Sequence, residues 1–397
     1  MDRSGRAARF AVVIIWADGQ VKSIHAQWPG AVEITVARRD TIGQPGREPG
    51  EVRALAYTAL MATPGVGDRV LLNVAALDRG LGTGGYALVI AVLDEDGNVT
   101  AQPPQPAGHL VKARYLPLQA MVAGADEQGS PHHELLREAD SITGLPVVVA
   151  DLHSALTPIL LAIKHDRPDA RVVYVMTDHG ALPLAFSQTV AELRSAGLLA
   201  ATVTVGQAFG GDLEAVTVHS GLLAARLALG ADVAVVSQGP GNLGTGTRWG
   251  FSGVAAGEAM NAAGILGGRP IGALRISGAD PRPRHHNLSH HSLTAYGRVA
   301  LVAADLAVPD LAGAEQLTGI NGLREVARLA DTVVRQAATL TRHRQVLVPL
   351  SGLDQALRTS PVRLSTMGRG LDDDPAYFLA SSAAGRHAAS LLATATC

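Results

Sequence analysis

From residue 146 onward the chain repeats a pattern that few folds accommodate: short runs of Val, Ile, Leu and Ala, almost free of polar residues, alternate with longer helical segments. The runs at 146–150, 171–176, 200–205, 232–237, 270–276 and 298–303 are predicted strands, and 154–165, 184–196, 219–229, 252–266 and 322–340 are predicted helices. A strand that is apolar on both faces has to be covered on both. The pattern therefore predicts an α/β unit with a Rossmann-like, mostly parallel sheet flanked by helices. A further strand pair near 346–350 and 362–365 and a last helix from about Pro375 complete this reading.

The residues before this region follow a different period. Short β-type runs at 10–16, 31–37, 52–60, 69–74 and 86–93 are punctuated by Asp18-Gly19, Pro64-Gly65 and Asp96-Gly97, which predicts a small β-barrel. Pro103, Pro104, Pro106 and Gly108 mark a stiff linker. The expected organisation is a barrel-like domain over 1–110, a connecting segment over 111–145 and the Rossmann-like domain over 146–397.

Composition narrows the partners. With 17% charged residues and a net charge of -2, the chain lacks both the polarity of a disordered protein and the basic excess of a general nucleic-acid binder. The apolar run behind Arg3, Arg6 and Arg9 breaks at Asp18-Gly19, too early for an export signal, and no stretch approaches the roughly 20 apolar residues of a membrane span. The single cysteine, Cys397, excludes an internal disulfide framework and a cysteine zinc site, and fits a reducing cytoplasm. The expected partner is a small anionic metabolite or nucleotide, not a nucleic acid or a membrane, with self-association into a homo-oligomer left open.

In an open parallel sheet, ligands bind beyond the carboxyl ends of the strands, and here each predicted strand ends in polar residues. Asp151-Leu152-His153-Ser154 follows the first, Thr177-Asp178-His179-Gly180 the second, Gly206-Gln207 the third, and Ser237-Gln238-Gly239-Pro240-Gly241-Asn242 the fourth. Ser277 and Asp280 follow the fifth and lead into a stretch from Arg282 to Arg298 that contains His285, His286, His290 and His291. No folding argument needs four imidazoles there, and neutral imidazoles are metal ligands and proton carriers.

Asp151, His153, Asp178 and His179 combine carboxylate and imidazole donors that suit a divalent Zn, Mn or Fe ion, to be completed by His219, His290 or His291. The same four residues, with His290 and His291, are the candidate catalytic groups. No contiguous metal motif accompanies them, and mutual hydrogen bonding around an organic ligand is the competing reading. Gly239, Gly241 and Gly244 formally match a dinucleotide fingerprint, but on the fourth strand and without the acid that should end the next one. What remains is a glycine loop with Asn242 and Thr245 whose backbone N–H groups, together with Arg275, suit an anion; a merely structural turn is the alternative. Ser154, Ser237, Ser289 and Ser292 lack a nucleophile elbow. Asp372-Asp373-Asp374 reads as the acidic start of the last helix.

Three of these segments carry a resemblance. Thr177-Asp178-His179-Gly180-Ala181-Leu182-Pro183, Ser237-Gln238-Gly239-Pro240-Gly241-Asn242-Leu243-Gly244-Thr245-Gly246 and His285-His286-Asn287-Leu288-Ser289-His290-His291-Ser292 together resemble the bacterial domain of unknown function 3866 family over almost the whole chain. The resemblance implies no activity or cofactor. The residues themselves suggest a metal- or His-dependent hydrolase or transferase acting on a small anionic substrate. The alternative is a non-catalytic nucleotide or metabolite sensor in which the barrel relays occupancy to a partner.

Overall fold

The computed structural model describes residues 14–41, 50–81, 83–100 and 108–393, and divides the chain into two compact units, residues 1–104 and 105–397. The predicted run at 10–16 lies mostly outside the described residues, as do Pro103, Pro104, Pro106 and Cys397.

The first unit is a closed five-stranded barrel. Its strands are β1 (Trp16–Trp28), β2 (Ala31–Thr41), β3 (Glu51–Tyr57), β4 (Arg69–Asn73) and β5 (Ala87–Leu93), joined in the order β1-β2-β3-β5-β4 with β4 returning to β1. Alternate residues such as Val32, Ile34 and Val36 point inward to meet Val70, Leu72 and Val89, the period-2 burial that closure requires. Asp18-Gly19 is not the expected hairpin turn. It lies inside β1 at a bulge, where a Cβ on Gly19 would sit 2.4 Å from Val36, so the glycine serves close strand approach rather than chain reversal. The reversal falls at Pro29-Gly30, where Gly30 has φ +84°.

The second unit starts with a short hairpin, β6 (Leu110–Lys112) and β7 (Ala120–Val122), so the segment expected to be connecting packs with the sheet. Lys112 is buried there and donates to the carbonyls of Gly206 and Ala215. The central sheet is built from β8 (Pro146–Val149), β9 (Val172–Thr177), β10 (Ala201–Thr204), β11 (Leu213–Glu214), β12 (Val233–Gln238), β13 (Arg269–Ala273), β16 (Asp305–Pro309) and β17 (Arg344–Val348), with a separate ribbon β14 (Ile276–Ser277) and β15 (Asn287–Leu288). All eight strands run parallel in the order β11-β10-β9-β12-β8-β13-β16-β17. Every residue of β8, β9, β10 and β12 is buried, in keeping with helices on both faces. No helix among the described residues is long and apolar enough to cross a membrane.

Two expected strands are corrected. Residues 298–303 do not form one: Arg298 and Val299 end a wide helical turn, Ala295–Val299, that continues the helix His290–Thr294, and the strand begins at Asp305. An unbroken apolar run from Val299 to Ala304 marks no boundary of its own. Residues 362–365 contribute no strand, and the Arg344–Val348 strand joins the central sheet as its edge beside β16 instead of forming a separate pair.

The helix Pro375–Ser390 is buried along most of its length and packs on the helix Leu156–Asp166 through small residues. A Cβ on Gly385 would lie 2.2 Å from the Ile159 carbonyl oxygen, a backbone atom that cannot rotate away. Gly385→Leu gains about 1 kcal/mol of helix propensity but forces the two helices apart at a cost of about 1–3 kcal/mol or more. Urea unfolding should show a net loss of stability; an unchanged or raised midpoint would mean that this packing is looser than described.

Candidate functional site

Strand order assembles the site. β12, β8 and β13 are neighbours, so the loops that follow Gln238, Val149 and Ala273 leave the same rim of the sheet side by side. The order also reverses here, because β9, β10 and β11 extend to one side of β12 while β13 and β16 extend to the other side of β8; such a switch point opens a crevice. Gln238 secures the rim by donating from its amide to the Asp151 carbonyl at 2.7 Å and to Asn242 Oδ1 at 3.0 Å.

Three imidazoles converge in this crevice. The ligand-competent nitrogens of His285, His290 and His291 all lie within 4.8 Å of one another, and no other such group of His, Cys, Asp or Glu occurs among the described residues. The ring of His291 stacks on Phe251 at 3.7 Å, while His290 meets Phe251 edge-on. Asp151 Oδ2 is 3.2 Å from His291 Nδ1, and Arg275 Nη1 is 3.0 Å from the same nitrogen. One nitrogen cannot donate and accept at once. The adjacent carboxylate favours the proton on Nδ1, which donates to Asp151 and leaves the lone pair on Nε2. His285 Nδ1 is engaged by Ser289 Oγ at 2.8 Å, so its Nε2 is also the free nitrogen. His290 Nε2 is enclosed by protein and has no hydrogen-bond partner.

Burial, reinforced by the charges of Arg275 and Arg282, pushes His285 down to about 3; burial, reinforced by His291 and Arg284, pushes His290 down to about 4. Both rings are neutral at pH 7. Burial alone would raise Asp151, but its bond from His291 and the charge of Arg275 outweigh this and hold the carboxyl below its ordinary range.

Charges around the imidazoles form a chain. Arg275 lies between Asp151 at 3.5 Å and Asp280 at 3.9 Å; Arg282 forks onto Asp280 at 2.9 and 2.7 Å; Arg369 reaches Asp280 at 3.3 Å and Asp374 at 3.1 Å. Ser277 donates to Asp374 at 2.6 Å. Burial favours the neutral acid at Asp280, but the Arg282 fork and the charge of Arg369 drive its pKa far below the carboxylate range. Three carboxylates thus meet three guanidinium groups. Arg284 stands outside this chain and has no ion pair among the described residues, so its charge is available to a ligand.

A cavity of about 110 Å³ lies against these groups, bounded by the three histidines, Arg275, Arg282, Arg284 and the loop from Asn242 to Phe251. That loop folds back on itself through Thr245 and Gly250, and Asn242 Oδ1 accepts from the Ser252 hydroxyl. Gly246, at φ +80°, carries the backbone past the Arg284 guanidinium, which lies 3.6 Å from where a Cβ would be. The dinucleotide reading of Gly239, Gly241 and Gly244 does not survive, because no helix starts at Gly244; the next helical turn begins at Ser252. Gly244 and Thr245 belong instead to the cavity hairpin.

The other expected groups lie elsewhere. His153 is tied at both nitrogens, to Tyr174 at 3.1 Å and Ser187 at 2.7 Å. The Tyr174 hydroxyl donates to the Gln238 carbonyl, so it accepts from His153 Nδ1–H, and Nε2 accepts from Ser187. His153 therefore has no lone pair for a metal. Asp178 and His179 leave β9, two strands from β8; Asp178 accepts from Gln207 N–H at 2.9 Å, and His179 lies 3.4 Å from Asp178. The proposed ligand set of Asp151, His153, Asp178 and His179 is not gathered, since strand β12 separates β8 from β9. Ser289 touches a histidine but is fully buried as the cap of the helix His290–Thr294, and Ser154 bonds Tyr377. Asp372 pairs with Arg358, while Asp374 precedes Pro375 at the start of the last helix and also holds Arg369.

Sequence reasoning quoted His285 but left it out of the candidate groups, and it missed the part played by Arg369. The alternation of Arg282, Arg284, His285, His290 and His291 along one loop was the available signal for His285; for Arg369 there was none.

Burial pushes His153 down to about 4, below the value of about 6.5 of an unfolded chain. The folded state therefore resists a proton that the unfolded chain takes up, and stability is full above pH 6.5 and falls as pH drops toward 4. The expected slope is up to about 1.4 kcal/mol per pH unit. Unfolding of the wild type and of His153→Gln across pH 7 to 4 should differ in slope over that window; parallel curves would remove His153 as the source.

Residues 53–385 match the profile of a family described as protein of unknown function (DUF3866), and no curated protein or solved structure matches the chain.

Proposed function

The chain belongs to the DUF3866 family, and from the chemistry of its strand-end crevice we propose that it is a metal-dependent hydrolase of small anionic substrates, His285, His290 and His291 being the metal ligands. The observation that carries this reading is the convergence of three imidazoles, one with a buried, unpartnered Nε2, in a cavity lined by arginines.

Three imidazole nitrogens match the protein donor set of catalytic zinc, which would keep a further position for water or substrate. An all-imidazole set suits zinc or ferrous iron better than manganese, which prefers carboxylate oxygen. Such an ion supplies a Lewis acid and lowers the pKa of bound water to about 7. The remaining steps fall to the chain's own groups. Asp151 fixes the ring and tautomer of His291 from behind and raises its basicity. Arg284 supplies an uncommitted positive charge and Arg275 and Arg282 supply rigid ones, so an anionic substrate is drawn to the cavity and charge that builds on its oxygens is stabilised. Phe251 covers the imidazoles from one side and keeps bulk water off them.

Elemental analysis of the purified protein should find about one zinc or iron per chain, and His285→Ala or His290→Ala should abolish it. Asp151→Asn keeps the ligands and should weaken metal affinity about 10- to 100-fold. Protein that is free of metal under all loading conditions, yet stabilised by nucleotides in a thermal-shift assay, would favour a binding or sensor role instead.

A further inference from the structure

Resting on the metal-site reading, we infer that the substrate is a phosphate monoester of a polar, sugar- or nucleoside-sized group, seated across two neighbouring cavities that meet at Asn242 and Met367.

The first cavity is small. Its volume of about 110 Å³ equals that of three or four waters at about 30 Å³ each, enough for an ion and one tetrahedral oxyanion. It falls below the roughly 300–1,000 Å³ of ordinary small-molecule sites, and the second cavity, of about 240 Å³, brings the pair into that range. The second is bounded by Ser154, Thr157, Thr189, Arg363 and Ser365, with Leu152 and Leu364 as apolar walls. Four hydroxyls and the Arg363 guanidinium on these walls can bond the hydroxyls of a polyol or a ribose, whose ring face can lie against Leu152, Pro240, Leu364 and Met367.

Charge selects the head group. No carboxylate lines the first cavity; its charged residues are Arg275, Arg282 and Arg284, of which the first two are balanced by Asp151 and Asp280. Arg284 and a divalent ion leave a surplus of positive charge that a phosphate monoester, at about -1.5 to -2, neutralises better than a carboxylate. Hydrolysis would bond water oxygen to phosphorus and break the phosphorus–oxygen bond to the organic group, which leaves as an alcohol carrying the proton that the water gives up.

Met367 stands at the join. It occupies a tight turn closed by reciprocal backbone bonds between Thr366 and Arg369, at φ +49°, and lines both cavities. Arg369 belongs to the ion chain around Asp280, so the same turn that presents Met367 is anchored to the catalytic crevice. Met367 is thereby a specificity-determining residue, setting the width through which the ester passes.

Calorimetric titration of metal-loaded, full-length protein tests this, using inorganic phosphate, a panel of sugar and nucleoside monophosphates, and the same compounds without phosphate. At least one monophosphate should bind about tenfold or more tightly than both inorganic phosphate and its phosphate-free counterpart. Thr189→Trp, which fills the second cavity, should remove that gain, as should Ser365→Trp, which fills the same cavity from another lining position. The inference is overturned if no ester exceeds inorganic phosphate, or if the phosphate-free compounds bind as tightly as the esters. Metal content measured on the same samples separates the two readings: a full complement of metal with no gain from the organic group sinks this inference alone, whereas protein that retains no metal sinks the reading beneath it.

Discussion

Strands β8 and β12 are buried on both faces and β13 over all but its first residue, so polar chemistry in this region can occur only where the strands end. That constraint places Asp151, Gln238 and Arg275 on one rim, and the pairing order β12-β8-β13 puts them side by side. Residues 140 positions apart, Asp151 and His291, meet as a consequence. The loops that follow need not be rigid in themselves, because the sheet has fixed their origins.

Once side by side, the groups have to be reconciled electrostatically. A buried guanidinium such as Arg275 carries a desolvation penalty that one carboxylate at 3.5 Å would not offset, and here Asp151 and Asp280 share the task. Asp280 in turn holds Arg282 and Arg369, and Arg369 holds Asp374 at the start of the last helix. The chain of charges ties the loop after β13, the turn at Met367 and the helix Pro375–Ser390 into one frame around the imidazoles. The frame leaves His285 and His290 uncharged and Arg284 uncommitted, a combination that suits a cation with an anionic ligand.

Local periodicity made the architecture legible. Both-face apolar runs such as Val147-Val148-Val149 and Val233-Ala234-Val235-Val236 announce covered parallel strands, and the shorter alternating runs before residue 100 announce a barrel. Errors came where pattern is silent. The run from Val299 to Ala304 is equally apolar in a helix end, a coil or a strand, and Gly19 looks like a turn residue although it serves a bulge. At the site, the histidine-rich loop stood out because its composition has no folding purpose. The pairing of β12 between β8 and β9 leaves no local trace, and it is what separates Asp178 and His179 from Asp151. The status of His153 was equally hidden, since Tyr174 and Ser187, which take up both its nitrogens, lie 21 and 34 residues away.

The central claim is that His285, His290 and His291 bind one divalent ion through imidazole nitrogen. X-ray absorption at the metal edge of the purified protein tests it most directly. The account predicts a mononuclear centre with three imidazole nitrogens at about 2.0–2.1 Å and one further light-atom ligand. A first shell made only of oxygen, or imidazole scattering that persists unchanged when His290 is replaced by alanine, would contradict it.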